Sequence, residues 1–333
     1  MSIRFAFGFC LAALAPLAPA QTIDSRIYSE LHWREIGPTR AGRARAVSGV
    51  PSQPNVSYIG FDNGGVWRST DYGSTWKPVF DKESTGSIGA IAVAPSDPNV
   101  VYVGTGAGII RPDLATGDGM YKSTDAGKTW THLGLRDSQM IADVAVDPRN
   151  PNRLFVAALG HPYGPNSERG IFRSTDGGAT FEPVLHKDDY VSGNDVHIDP
   201  SNPEIVYAAL WQQQQGFSEN GAFGDPAGGG GIFKSTDGGT TWRQLTTGLP
   251  AIVEANLAVA PSNPKIIYAM IAPGAAPAAA DGAGAAGGRG GGGRGGRGGG
   301  RGGGGGVAFY KSTDAGEHWF VAVNDPSLSA AQR

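Results

Sequence analysis

Short runs in which apolar or β-branched residues alternate with polar ones recur along this chain, each bounded by clusters of Gly, Pro, Asn, Asp and Ser. Residues 88–94, 100–105, 120–124 and 129–134 form one set of four such runs. A period of two over a handful of residues is the pattern of a strand with one face buried, and the flanking turn formers end each run. Helix signals are scarce. The pattern therefore predicts groups of four short strands, and the group repeats.

Two interleaved motifs carry the repeat. Ser69-Thr70-Asp71-Tyr72-Gly73-Ser74-Thr75-Trp76 recurs as Ser123-Thr124-Asp125-Ala126-Gly127-Lys128-Thr129-Trp130, and again from Ser174 to Phe181, Ser235 to Trp242 and Ser312 to Trp319. Between these lie proline turns such as Asp147-Pro148-Arg149-Asn150-Pro151, with counterparts beginning at Pro51, Pro95, Asp199 and Pro261. Proline with Asn, Asp or Ser presets a tight turn between strands. Four-stranded units spaced by roughly 50 residues are the signature of propeller blades, so the predicted fold is an all-β propeller with five blades in this chain. The blades are expected at about 43–80, 87–134, 140–185, 192–245 and 254–323, within a propeller domain covering 21–333. In each box the aspartate (Asp71, Asp125, Asp176, Asp237 and Asp314) is expected to accept hydrogen bonds from its own turn. Glycine two positions later supplies a backbone shape that side chains resist. Five like aspartates in five like turns point to a structural role.

Trp33-Arg34-Glu35-Ile36-Gly37 matches Trp130-Thr131-His132-Leu133-Gly134, and Trp33 stands as far from Pro51 as Trp130 does from Pro148. The chain thus opens on a fourth strand without the first three of its blade. The fifth unit has its own fourth strand, near 318–323, so a closing blade would need three strands more. The expectation is an incomplete ring, the front part of a longer protein; a five-bladed ring with a spare N-terminal strand is the alternative.

Composition changes this picture in three ways. Arg4, the apolar run from Phe5 to Leu17, and Ala18-Pro19-Ala20 read as a signal peptide over 1–20 cleaved after Ala20, hence export to the periplasm or beyond. The one cysteine, Cys10, lies inside that leader, so a mature chain would hold no disulfide. A net charge of −3 gives no reason to expect nucleic acid or an anionic membrane as partner, and no later segment suits a transmembrane helix. The stretch 273–306, Ala/Pro-rich and then Gly/Arg-rich with Arg289, Arg294, Arg297 and Arg301, is expected to be a disordered loop insert.

Loops between second and third strands vary most in length: 62–65, 106–119, 160–170, 212–231 and 273–307. Variable loops on a rigid scaffold are where binding usually sits, and the box turns would form the opposite face. Five positions before each turn proline lie Ala46, Ala90, Asp143, Asp195 and Asn256, each followed by an apolar residue: Val47, Ile91, Val144, Val196 and Leu257. Asp143, Asp195 and Asn256 are expected at the mouth of the central channel with Arg43 and Arg45 close by. They read either as a funnel for a sugar or peptide or as an ordinary polar lining. The histidines lack metal-ligand spacing, so no metal and no cofactor is expected.

The five boxes resemble the BNR repeats of sialidases, the sortilin/VPS10 N-terminal propeller, family 74 xyloglucanases and Ycf48/HCF136-type assembly factors. Trp33 to Pro38, Gly64 to Asp71 and Gly117 to Ser123 resemble exported bacterial proteins of the sortilin N-terminal or glycosyl hydrolase BNR type. The resemblance implies fold more than activity. No Arg-Ile-Pro motif occurs, which argues against a sialidase. Phe61-Asp62-Asn63-Gly64-Gly65 resembles a degraded form of the family 74 motif and makes Asp62 the one candidate catalytic residue. Inverting hydrolysis needs a second carboxylate, which in that family lies in a second propeller. The expectation is a non-catalytic propeller binding protein or peptide on its variable-loop face. The alternative is a glycan-binding or glycan-cleaving propeller, a glycosidase if an enzyme, with Asp143 or Asp195 as partner carboxylate.

Overall fold

A computed structural model of the protein describes residues 42–108, 115–212, 214–215, 222–223, 229–274 and 307–323. The expected leader, the expected strand at Trp33 and the Gly/Arg-rich stretch from 275 onward lie outside the described residues.

Five four-stranded antiparallel sheets follow one another as the blades of a propeller with an open ring. Blade 1 comprises Ala44–Gly49, Ser57–Phe61, Val66–Ser69 and Lys77–Pro78; blade 2 comprises Ile88–Val93, Val101–Thr105, Met120–Ser123 and Thr131–His132. Blade 3 runs through Ile141–Val146, Leu154–Ala158, Gly170–Ser174 and Glu182–Leu185. Blade 4 is Val191–Ile198, Val206–Gln212, Gly231–Ser235 and Arg243–Leu245, with a two-residue ribbon (Gln214–Gln215 and Ala222–Phe223) in its long loop. Blade 5 is Ile252–Val259, Ile267–Pro273, Ala308–Ser312 and Phe320–Val323. Strand order within each blade is chain order, and the first strands pack against one another from blade 1 to blade 5, so they are innermost. The fourth strand expected over 129–134 shrinks to Thr131–His132, because Thr129 and Trp130 belong to the box turn that precedes it.

Alternation along the strands places one side-chain set on each face of a sheet, and adjacent blades share a core. Tyr58, Val66, Phe80, Ile91, Val93, Val101 and Tyr121 form one such layer between blades 1 and 2. Phe155, Ala157, Ile171, Val191, Val196, Val206 and Leu210 form another between blades 3 and 4. Each fully buried Tyr, Phe or Ile contributes about 1.5–3 kcal/mol, so these layers rather than any single polar contact hold the blades together. Val47 departs from the apolar face expected of it. It is 75% exposed where Ile91, Val144, Val196 and Leu257 are 8%, 6%, 1% and 7% exposed. Those four are covered by the preceding blade, and among the described residues no blade covers Val47.

The box turns are near copies of one another. In blade 2, Ser123 Oγ donates to Asp125 Oδ1 (2.8 Å) and accepts the Gly127 N–H (2.8 Å). Asp125 Oδ1 also accepts the Thr129 N–H (2.9 Å), and Oδ2 accepts the Thr129 hydroxyl (2.7 Å). Blade 5 has His318 in place of the threonine, with Nδ1 2.7 Å from Asp314 Oδ2. The Thr75 hydroxyl and N–H, with the Ser69 hydroxyl, hold Asp71 at about 2, so the carboxylate stays ionised at neutral pH. The residue after each Asp has positive φ, whether it is glycine or not: Tyr72, Ala126 and Ala315 at 60° or 61°, Gly177 at 76° and Gly238 at 68°.

That left-handed residue turns its carbonyl toward the preceding blade, which clamps it. Tyr58 Oη donates to Ala126 O (3.0 Å), Lys122 Nζ to Gly177 O (3.3 Å) and Arg173 Nη1 to Gly238 O (2.8 Å). Lys234 Nζ (2.9 Å) and Tyr207 Oη (3.1 Å) both donate to Ala315 O. The glycine that follows rests on the same neighbour: a Cβ on Gly316 would meet Leu245 Cδ1 at 2.9 Å and Tyr207 Cε1 at 3.5 Å.

Ser123 is 1% exposed, and its hydroxyl is the one acceptor for the buried Gly127 N–H. Ser123→Ala is expected to cost about 1–3 kcal/mol in urea unfolding, the cost of an orphaned buried donor. Ser74→Ala, on an exposed box residue, is expected to stay within about 0.5 kcal/mol. Equal midpoints for the two variants would remove the serine from the centre of the turn.

Candidate functional site

The innermost strands of blades 1 to 4 break register at corresponding places, leaving Arg45, Gly89, Ala142 and Asn194 unpaired in the ladder. Such bulges re-aim neighbouring side chains. Two of the bulge residues reach the next blade: Arg45 Nε donates to Ala107 O (2.8 Å), and Asn194 Nδ2 donates to Ala255 O (2.8 Å). Gly89 admits no side chain, since a Cβ would lie 2.0 Å from Ile141 O.

Asp143 and Asp195 directly follow bulges and share one network. Asp143 Oδ2 accepts the Val196 N–H (3.2 Å), and Asp195 Oδ2 accepts the Leu257 N–H (2.5 Å), each from the next blade. His197 Nε2 lies 3.0 Å from Asp195 Oδ1 and 2.9 Å from Leu257 O. Asn256 joins at the far end, its Oδ1 3.4 Å from Asn194 Nδ2. The structure thus brings together three of the residues expected in the funnel and adds His197 and Asn194. Arg43 is exposed on blade 1, and Arg45 is turned to the loop of blade 2.

Burial, and then the Asp195 carboxylate, push Asp143 up to about 7. Burial alone would lower His197, but the charges of Asp195 and Asp143 outweigh it and raise the imidazole to about 9. Burial would raise Asp195, yet the adjacent imidazolium and the Leu257 N–H hold it below the usual carboxylate range. Asp143, Asp195 and His197 each offer one donor atom within 4.8 Å of the others, so they are a candidate cation group that sequence spacing did not suggest. His197 Nε2 faces two acceptors and so carries a proton, which withholds it from a metal in this arrangement.

Asp62 is 4% exposed, and its Oδ1 accepts the Arg43 N–H (2.8 Å) while its own N–H donates to Arg43 O (3.0 Å). Gly42 lies directly on the carboxylate, for a Cβ there would meet Asp62 Oδ1 at 2.4 Å. The carboxyl closes the entry of the first strand and turns toward main chain.

The loops are organised by polar residues that precede the third strand. In blade 2, Asp118 accepts from the Ser84 hydroxyl and from the Tyr121 hydroxyl (2.9 Å), joining loop to inter-blade link. In blade 3 the corresponding residue is Arg169, fully buried, donating to Leu159 O (2.8 Å), Ser192 Oγ (2.5 Å), His161 O (2.6 Å) and Gly164 O (3.1 Å). Burial brings it down to about 10, so it remains charged. The Asn166 N–H donates to Asp189 O (3.0 Å), which ties this loop to the link before blade 4. The two segments present Tyr163 and Tyr190, 44% and 46% exposed, with the exposed carboxylates of Asp137 and Asp189. Of the other loop aromatics, Trp211 is half-buried at a strand end and Phe217 lies outside the described residues.

Four-stranded Asp-box blades in an open ring, with loops of unequal length between their second and third strands, define an Asp-box propeller. The Sortilin-Vps10 family model (sortilin, neurotensin receptor 3) matches residues 64–192. Xyloglucanase Xgh74A of Acetivibrio thermocellus is 25% identical over 221 residues, 59% of this chain and 24% of the relative. A xyloglucanase of a Paenibacillus species is 29% identical over 238 residues, 63% of this chain and 21% of the relative. The chain therefore spans less than a quarter of the length of these curated relatives. A solved structure of an ancestral GH74 enzyme superposes with a TM-score of 0.59 at 21% identity, covering 87% of this chain and 32% of that one. Among the described residues no helix is long and apolar enough to cross a membrane.

The raised His197 gives the network a pH signature. The folded protein holds that proton more tightly than the unfolded chain, whose imidazole titrates near about 6.5. Its contribution is complete below that value and is lost as pH rises toward about 9. Asp143, also raised, acts in the same direction at lower pH. The melting temperature is expected to fall from pH 7 to pH 9, with a flatter profile in His197→Gln. A flat wild-type profile across this window would refute the assignment.

Proposed function

We propose that this chain is the non-catalytic scaffold of an exported propeller that binds a protein or peptide on its variable-loop face. The observation that carries this reading is the loop pair 160–170 and 186–191. A buried arginine and main-chain hydrogen bonds hold these loops in place before any ligand arrives, and they display two half-exposed tyrosines. Ordered loops lose little entropy on binding, and tyrosine supplies large contact area at low rotamer cost. The exposed Asp137 and Asp189 beside them favour a ligand with basic residues. Asp62, Asp143 and Asp195 each have an oxygen committed to a main-chain N–H, which speaks for scaffold rather than acid–base chemistry.

A glycan reading is favoured by one observation, the likeness to xyloglucanases over 59% and 63% of the chain. A panel of basic peptides and xyloglucan oligosaccharides, titrated against the 333-residue chain, separates the two. The expected result is peptide binding weakened about tenfold by Tyr163→Ala and by Tyr190→Ala, and weakened further by salt. Hydrolysis of xyloglucan that disappears in Asp62→Asn would overturn the scaffold reading.

A further inference from the structure

The exposed carboxylates of the blade 3 loop pair differ from those elsewhere in what they meet. Glu182 meets Arg173, Glu204 meets Arg153, and Glu317 meets Lys234 and Arg243. Asp137 and Asp189, whose side chains are more than half exposed, pair among the described residues with a histidine each, His161 and His186. Their basic neighbours in sequence are engaged elsewhere. Arg136 Nη2 lies 3.3 Å from His132 Nδ1, Lys187 Nζ donates to Gly229 O (3.0 Å), and Arg169 is bound to carbonyls inside the loop.

Of the two carboxylates, Asp137 is the one held in place. His161 Nε2 lies 3.1 Å from its Oδ1, and Asn166 Nδ2 donates to its Oδ2 (2.9 Å). Asn166 is 5% exposed, and its Oδ1 has no hydrogen-bond partner among the described residues. The one hydrogen bond of this buried amide side chain therefore goes to a carboxylate that is open to solvent. Burying an amide with half its groups met is costly and asks for a reason. The loop is already held by Arg169 and by the Asn166 N–H, which donates to Asp189 O (3.0 Å). The side-chain bond adds little to that, and what it fixes is the direction of a surface carboxylate.

An ionised carboxylate has two lone pairs on each oxygen. His161 takes one on Oδ1 and Asn166 takes one on Oδ2, which leaves one on each. A planar guanidinium fork fills such a pair with two parallel N–H bonds, whereas an ammonium is a point donor. Tyr163 and Tyr190, on the same loop pair, offer half-exposed aromatic surface of the kind on which a guanidinium stacks. We infer that Asp137 is the receptor for an arginine side chain of the ligand, with Asn166 and His161 as its positioning residues. This rests on the peptide-binding function proposed above and names the residue type that the site selects.

The test titrates labelled penta-arginine, penta-lysine and penta-citrulline against the 333-residue chain at about pH 7.5. Penta-arginine is expected to bind about tenfold more tightly than penta-lysine, and penta-citrulline, which keeps the shape without the charge, more weakly than either. Asp137→Asn removes the preference for arginine. Asp137→Glu keeps the charge but draws the carboxylate away from Asn166 and His161, and it removes the preference too. Asp189→Asn weakens both basic peptides alike. His161 stands near Asp137 and Glu168, and Arg169 binds its carbonyl. Protonation of its ring sets a cation against Asp137, so penta-arginine is expected to weaken between about pH 7.5 and about pH 5.5, less steeply in His161→Gln. Identical profiles would overturn the role of His161. If penta-arginine binds and either Asp137 variant keeps the preference over penta-lysine, the inference fails, while the loop-face reading stands or falls with Tyr163→Ala and Tyr190→Ala. If none of the three peptides binds, both fail.

Discussion

Each blade depends on a serine hydroxyl that faces two ways. Ser69, Ser123, Ser174, Ser235 and Ser312 are almost fully buried, and each donates to its aspartate while accepting an N–H from the glycine four residues on. That pair of bonds bends the turn so that the intervening residue enters the left-handed region and its carbonyl leaves the turn sideways. A distortion of this kind persists only where surrounding contacts over-determine it. The N–H of that residue is taken up by the proline turn of its own blade, and in blades 2 to 5 its carbonyl is taken up by the previous blade. Local geometry within eight residues thereby becomes long-range order between sheets.

Much of this was legible in the sequence because it is periodic. The box, the proline turn and the alternation between them repeat closely enough to announce four strands per unit. The aspartates could be assigned to their own turns because serine, aspartate and glycine hold fixed offsets. Sequence could not show where the turn sends its carbonyl, since that depends on a backbone angle adopted equally by Tyr72, Ala126 and Gly238. Nor could it show that Val47 would lie bare, because its four counterparts have the same apolar character and differ only in what covers them.

The polar residues of the innermost strands and loops were partly legible. Asp143, Asp195 and Asn256 stand out as polar at an otherwise apolar register position, and the structure joins them. His197 escaped because it lies two residues on, at a position where the other blades carry no titratable group. Arg169 escaped because it belongs to no motif, and Asp118, though inside the stretch Gly117 to Ser123, because nothing in that stretch assigns it a partner. Their shared feature is positional: each precedes the glycine that opens a third strand after a long loop, where Gly119 and Gly170 have φ near 100°. Burial of an arginine at such a place is costly, and here four carbonyl or hydroxyl oxygens around its two terminal nitrogens offset that cost.

The clamp that recurs from one blade to the next is centred on a main-chain oxygen, beside which the side-chain bonds differ: Asn152, Thr240 and Glu317 each take part in one joint. Alanine and glycine supply that oxygen interchangeably in blades 2 to 5. Lysine, arginine and tyrosine hold it interchangeably from the other side. This part of the joint is indifferent to the side chain that follows the aspartate. Residues at this point of the turn can therefore be exchanged without loss of the clamp, and what makes each joint particular is left to the apolar layer packed beside it.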